Sequence, residues 1–227
     1  MENSSKSLQV IVWGAMGVTM VAIVVAFLLN DRKSTTAPNV DGVELKQVAG
    51  GAGGPPPVLF AVSDFALTNQ TGAVLTRSNL LGQVWLADII FTRCAGPCPG
   101  MTRRMAELQS AIAPQAPVAF VTLTTDPLFD TPKVMQAYSR RFGAQPGRWH
   151  FLTGTPQQIA DLAVQGLKLT VLDKEASQQV DPNDLFIHST IFVVVDKRGR
   201  ARAVLESDEP ALKVKALDLI QQLIDEK

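Results

Sequence analysis

An excess of charge of one sign is missing from this chain. In 227 residues, 21 lysines and arginines balance 21 aspartates and glutamates, so no electrostatic case for a nucleic-acid partner arises. Cysteine and histidine are scarce, with two of each. Any thiol, imidazole or soft-metal chemistry must therefore draw on Cys94, Cys98, His150 and His188. Internal repeats are absent, and low-complexity sequence is confined to one short stretch. What remains has ordinary globular composition, 46% hydrophobic and 19% charged, and is long enough for one sizeable domain with appendages.

The stretch Leu8 to Leu29, LQVIVWGAMGVTMVAIVVAFLL, carries no charged residue. At about 1.5 Å of rise per residue it is long enough to cross a hydrocarbon core roughly 30 Å thick. It exceeds the roughly 7 to 15 apolar residues of a signal-peptide core, and neither a small-x-small cleavage site nor a lipid-accepting cysteine follows it. A buried helix would show a polar face, and only Gln9 and Thr19 are polar here. The reading is an uncleaved single-pass anchor over residues 8–29 behind a short tail, residues 1–7. Lys6 on one side and Arg32 with Lys33 on the other are too evenly matched for the positive-inside rule to set an orientation. Residues 30–57 are poor in apolar side chains and end in a glycine run and three prolines, the composition of a tether with a root-mean-square reach of roughly 25 to 30 Å.

From Val58 to Lys227 the signals alternate. VWLADIIFT is an apolar run of strand length, PGMTRRMAELQSAIA has helical spacing, and PVAFVTLTT is a second buried strand. A helix opened by Thr131 and Pro132, a short strand WHFLTG, and a helix capped at Thr155 follow. TIFVVVDKRGRARAVLE reads as two strands around a glycine turn, and PALKVKALDLIQQLIDE as a closing amphipathic helix. This order predicts a thioredoxin-like α/β fold of the peroxiredoxin-type variant. Two parts stand outside that plan: an opening hairpin in FALTNQTGAVLTRSNLLGQ, and a polar insertion from Lys168 to Ile187, just before His188.

Cys94 and Cys98 occupy FTRCAGPCPG, at the passage from a strand to a helix. Backbone N–H groups and the positive end of the helix dipole favour thiolates there, so both thiols are expected to be more acidic than a free cysteine. Two buried inert cysteines are the plain alternative. It loses ground because reactive groups in open α/β sheets gather beyond the carboxyl ends of strands. The spacing is C-x-x-x-C rather than the C-x-x-C of a thioredoxin-type dithiol, and the pair is open to oxidation or to sharing a soft metal. His150 lies within a presumed strand and reads as structural. His188 lies where loops can carry it over the cysteines, and two thiolates with one imidazole suit Cu(I) and can also hold Cu(II), whereas zinc usually asks for a fourth ligand. Met101 and Met105 form a soft stripe on one helical face and read as core.

The anchor, FTRCAGPCP, TTDPLFDTP and a distal histidine in IHSTIFVVVDKRG occur in an order that resembles the Sco/SenC family of membrane-anchored copper chaperones. The resemblance runs from about Phe65 to the C-terminus. It implies copper held by Cys94, Cys98 and His188 for delivery to the binuclear copper centre of cytochrome c oxidase subunit II. It also implies a periplasmic copper donor, a thiol reductant, and a domain facing the periplasm from a bacterial inner membrane. MENSSKS is too short for a mitochondrial transit peptide, which favours the bacterial setting. Asp126 in TTDPLFDTP is a candidate to support the metal ligands from outside, although a structural role is preferred for it, and Asp130 to Pro132 reads as a turn and helix cap. The run DPNDLFI before His188 is more apolar than the family pattern. A thiol-disulfide oxidoreductase, with Cys94 attacking and Cys98 resolving, is the alternative enzyme reading, and a redox or copper sensor is a third.

Overall fold

The computed structural model describes residues 55–175, 177, 179 and 186–226. The anchor expected over residues 8–29 lies outside them, as do most of the expected tether and part of the insertion. Among the described residues no helix is long and apolar enough to cross a membrane.

The frame is a mixed sheet in which β4 (Val84–Ile90), β5 (Val118–Thr124) and β6 (Trp149–Thr153) run parallel. β9 (Ile191–Val195) pairs antiparallel with β4, and β10 (Arg200–Glu206) pairs with β9. β1 (Phe60–Ala61) lies at one edge. At the other, β2 (Ala66–Asn69) and β3 (Val74–Thr76) form the expected hairpin, followed by the short helix α1 (Arg77–Leu80). The eight strands run in the order β1-β10-β9-β4-β5-β6-β2-β3. A separate two-stranded ribbon, β7 (Val171–Asp173) with β8 (Phe186–His188), is built from the two ends of the polar insertion.

Every residue of β4 and β5 is buried, which is why both read as unbroken apolar runs: helices cover the two faces of the sheet. On the face of Leu86 and Ile90 pack α2 (Cys98–Ala111), α3 (Pro132–Arg141) and α5 (Leu212–Asp225), through Met101, Met105, Met135 and Ile220 among others. On the face of Ala87 and Ile89 packs α4 (Pro156–Ala160) with the turns that follow it. Both methionines of the helical stripe are core, Met101 at 2% exposed and Met105 at 0%.

The helix starts follow the local chemistry. The Thr131 hydroxyl accepts from the Val134 N–H at 3.4 Å. Thr155 and Gln158 exchange hydrogen bonds in a capping box, at 3.2 and 2.9 Å. The helix expected after Thr155 departs from its pattern, since Asp161–Gly166 widen into a π turn. The turn between β9 and β10 needs Gly199, whose φ is +76°. The end of α2 is closed by a buried arginine: the Arg148 guanidinium donates to the carbonyls of Gln109, Ile112, Ala113 and Val118, between 3.1 and 3.4 Å. At the start of the domain, Arg202 Nε donates to the Pro56 carbonyl at 2.9 Å and ties that proline to β10.

Candidate metal centre

β4 ends at Ile90, Phe91 seals the core behind it, and the chain turns before α2 begins at Cys98 with Pro99 in its first turn. The Cys94 N–H donates to the Phe91 carbonyl at 3.2 Å, which holds the turn over the strand end. Cys94 is half-buried and Cys98 is 0% exposed. Both are free thiols.

His188 is the last residue of β8, paired with Val171 of β7. Beyond it, the Ser189 N–H donates to the Thr170 carbonyl at 3.1 Å, and the Thr170 N–H donates to the Ser189 hydroxyl at 2.8 Å. The ribbon rests on Phe91: the Phe186 ring meets it edge-on with centroids 5.2 Å apart, and the His188 ring does the same at 5.9 Å. The apolar character of DPNDLFI thus has a local reason at Phe186, which anchors the ribbon that presents the histidine. His188 Nε2 stands 3.1 Å from Cys98 Sγ. Its Nδ1 lies 3.1 Å from the Ser189 carbonyl oxygen. Because a carbonyl only accepts, Nδ1 carries the proton and the Nε2 lone pair faces the sulfurs.

The donor atoms of Cys94, Cys98 and His188 all lie within 4.8 Å of one another, and they form the one such group of three among the described residues. His150 stays in β6, half-buried, where burial lowers its pKa. The three donors come from a turn, a helix start and a ribbon, and Phe91 is the residue they share.

The two thiols are not alike, which corrects the expectation that both are acidic. A hydrogen bond from the Cys98 thiol, helped by the Gly96 N–H 3.3 Å away, holds Cys94 well below the usual thiol range against its partial burial. Cys98 is pushed the other way, first by giving that hydrogen bond and then by burial. One proton is shared, so one sulfur is a thiolate and the other a thiol. A group with a depressed pKa keeps its charged form until pH falls to the lowered value. Iodoacetamide is therefore expected to label Cys94 of the reduced chain at a nearly constant rate from pH 8 to pH 6, where a free cysteine of pKa about 8.5 slows about tenfold per pH unit. Labelling that falls tenfold per unit over this range would contradict the assignment.

The turn is fixed by the segment after β5. Asp130 is fully buried, and its carboxylate accepts from the Thr92 N–H at 3.1 Å, from the Thr92 hydroxyl and from the Thr124 hydroxyl. The reading of Asp130 as a turn residue captures its backbone and misses its carboxylate, which joins two loops. Asp126 accepts from Arg93 Nη2 at 2.5 Å, and the Arg93 guanidinium lies 4.1 Å from the Phe129 ring centre. Asp126 therefore reaches the neighbour of Cys94, and the contact it makes is with Arg93. Phe91 and Arg93 lie in FTRCAGPCPG and Asp130 in TTDPLFDTP, yet nothing local marks what they or Phe186 do, because their partners lie on other segments.

The family described as SCO1/SenC matches residues 57–223. The SCO1 protein homolog of Bacillus subtilis is 34% identical over 146 residues, which span 63% of this chain and 72% of that protein. A SCO1/SenC family lipoprotein from Bacillus anthracis superposes with a TM-score of 0.66 at 26% identity, over 76% of this chain and 100% of that one. BsSco, described as a member of the Sco family of cytochrome c oxidase assembly proteins and as having a disulfide switch, superposes with a TM-score of 0.65 at 26% identity, over 77% of this chain and 100% of that one. By the extent of the family match and by these likenesses, the chain belongs to the SCO1/SenC family.

Proposed function

We propose that this protein carries copper as cargo on Cys94, Cys98 and His188 and hands it to subunit II of cytochrome c oxidase during assembly. The observation that carries this reading is the convergence of two sulfurs and one imidazole nitrogen within 4.8 Å. Two thiolates and a neutral imidazole are a soft donor set, and three donors leave a coordination position for an incoming ligand. Support for the acceptor comes from the family and from BsSco, whose Sco family is one of cytochrome c oxidase assembly proteins.

Transfer by ligand exchange suits the geometry. Cys94 is the half-buried, thiolate member of the pair and meets a partner's sulfur first, while Cys98 and His188 hold the ion from inside. The His188 Nδ1 contact with the Ser189 carbonyl keeps Nε2 available as a ligand. Anchoring by residues 8–29 with the domain on the periplasmic side of a bacterial inner membrane completes the proposal, since that arrangement places the cargo beside a membrane-bound acceptor.

Anaerobic copper(I) titration of the reduced chain tests the reading. One tightly held ion per chain is expected, with affinity reduced about tenfold to a hundredfold or more in His188→Ala. Stoichiometric binding unchanged by that substitution would remove His188 from the ligand set. A second reading, a thiol-disulfide oxidoreductase acting on the acceptor's cysteines, is favoured by the acidic Cys94 beside the buried thiol of Cys98. Rapid reduction of a disulfide substrate by a chain that fails to hold copper would promote it.

A further inference from the structure

Leu128 is 83% exposed and its neighbour Phe129 43%. They are the one adjacent pair among the exposed large hydrophobic side chains of the described residues. Single exposed apolar side chains are ordinary on a protein surface, whereas two together begin a patch. The loop that carries them has a fixed shape. The Phe129 and Asp130 N–H groups both donate to the Asp126 carbonyl, at 3.1 and 2.8 Å, and the Thr131 N–H donates to the Phe129 carbonyl at 2.8 Å. The buried Asp130 carboxylate fastens the loop to Thr92 and Thr124. The apolar pair is thus held out into solvent, already ordered for contact.

The pair adjoins the cysteine turn. The Arg93 guanidinium lies 4.1 Å from the Phe129 ring centre, and Arg93 directly precedes Cys94. After Cys94, the residues Ala95, Gly96 and Pro97 are exposed. A side-chain carbon at Gly96 would lie 3.7 Å from Cys94 Sγ, so glycine there leaves the sulfur uncovered on that side. Residues 95–97 and 127–129 carry no charge, and the Arg93 charge is paired with Asp126 at 2.5 Å. Apolar and aromatic side chains around one arginine, with few charges, make up the centre of a protein–protein interface rather than its rim.

What covers this patch follows from Cys94. Both readings of that residue, copper ligand and attacking thiol, bring a second protein's sulfur to it, and the inference rests on that shared step. Two cysteines that bond have Cα atoms within about 7 Å of each other. A standard interface buries about 800 Å² on each partner, a disc reaching about 16 Å from its centre. A partner centred on Cys94 therefore also covers Phe129, which touches the preceding residue, and Leu128 beside it. A lipid surface seated on the same patch would instead lie over Cys94 and close it to a partner's sulfur.

We propose that Leu128 and Phe129, with the 95–97 turn, form the docking surface for the protein that exchanges copper or a disulfide with Cys94. That partner presents its cysteine amid uncharged, apolar residues. The patch decides which protein reaches the sulfur and leaves the reactivity of the sulfur itself unchanged, so small molecules reach Cys94 without it.

The probe is the soluble copper-binding domain of cytochrome c oxidase subunit II, and the controls are a chromophoric copper(I) chelator and oxidised glutathione. Second-order rates are measured on the full chain below saturation, where weaker docking lowers the rate in proportion. In one reaction copper(I) passes from the loaded chain to the metal-free domain or to the chelator, and no electron moves. In the other, copper-free, the Cys94 thiolate attacks the disulfide of the oxidised domain. The Cys98 thiol then displaces the domain from the mixed disulfide, the Cys94–Cys98 bond forms, and two electrons and the Cys98 proton leave with the domain. The chain is oxidised and the domain is reduced to its dithiol.

Leu128→Asn removes apolar surface from a side chain too exposed to hold the fold. Its rate with the domain should fall about tenfold, and Leu128→Met, which keeps the apolar surface, should hold the native rate. Rates with the chelator and with glutathione should stay native in both variants. A Leu128→Asn chain that keeps the native rate with the domain assigns the patch to a bilayer or to a second copy and overturns the proposal. Equal slowing with the small molecules overturns it too, as does a native chain that exchanges neither copper nor a disulfide with the domain. A chain that holds no copper, yet exchanges its disulfide with the domain more slowly in Leu128→Asn alone, refutes copper carriage and leaves the docking surface standing.

Discussion

Cys98→Ala is expected to lower copper(I) affinity by more than about a hundredfold, beyond the range typical of removing a group that only orients a ligand. Cys98 is the inner sulfur, fully buried, and it links the other two donors: its thiol bonds to Cys94, and its Sγ lies 3.1 Å from His188 Nε2. Without it the ion keeps two donors on separate segments. Cys94 also loses the largest of the interactions that hold it as a thiolate. The cavity left by one sulfur is small, so the substitution should cost no more than about 1 to 2 kcal/mol of stability. Competition with a chromophoric copper(I) chelator measures the affinity, and a loss under about tenfold would show that Cys98 is not a ligand. The pairing of a large loss in affinity with a small loss in stability separates a metal site from a packing site.

Asp130→Ala should damage both properties together. Its carboxylate is the common acceptor for the Thr92 N–H, the Thr92 hydroxyl and the Thr124 hydroxyl, at the point where the turns after β4 and β5 meet. Alanine leaves those donors without their acceptor in a buried setting, and the expected cost is about 3 kcal/mol. The turn that carries Cys94 starts at Thr92, so its freedom should lower copper affinity about tenfold to a hundredfold. Urea unfolding with an unchanged m-value reads the first effect as a shift of midpoint, and chelator competition reads the second. An Asp130→Ala chain with native midpoint and native affinity would show that the cysteine turn is held by other contacts.

Local signals in the chain carried far into the fold. β4 and β5 are apolar throughout because both faces of the sheet are covered, and a sequence shows that directly as an unbroken run. Thr131 with Pro132, and Thr155 with Pro156, mark helix starts because the capping partners lie within three residues. The π turn at Asp161–Gly166 has no such mark, since its hydrogen-bond shift is small in sequence terms. Asp130 looks like a turn residue because its local partners make it one. The Thr92 groups that use its carboxylate are 38 positions away.

The candidate site divides in the same way. Cys94 and Cys98 are legible from spacing and from the passage of strand to helix. His188 is legible through the resemblance carried by several motifs. The oxidoreductase reading already names Cys94 as the attacking thiolate, but the dipole argument by itself applies to both cysteines and does not separate them. Burial of Cys98 and the hydrogen bond it gives to Cys94 separate them.

Periodicity, capping and residue chemistry act over a few neighbours, and for that reason the α/β order of the domain and its three soft donors are already written in the chain. Packing settled the rest: that these donors meet within 4.8 Å, and that Phe91 and Phe186 hold the histidine ribbon in place. Those outcomes arise from contacts between segments up to about ninety residues apart, such as that of Cys98 with His188. Desolvation and charge sharing exist only once the segments are packed, so no local pattern in the chain can carry them.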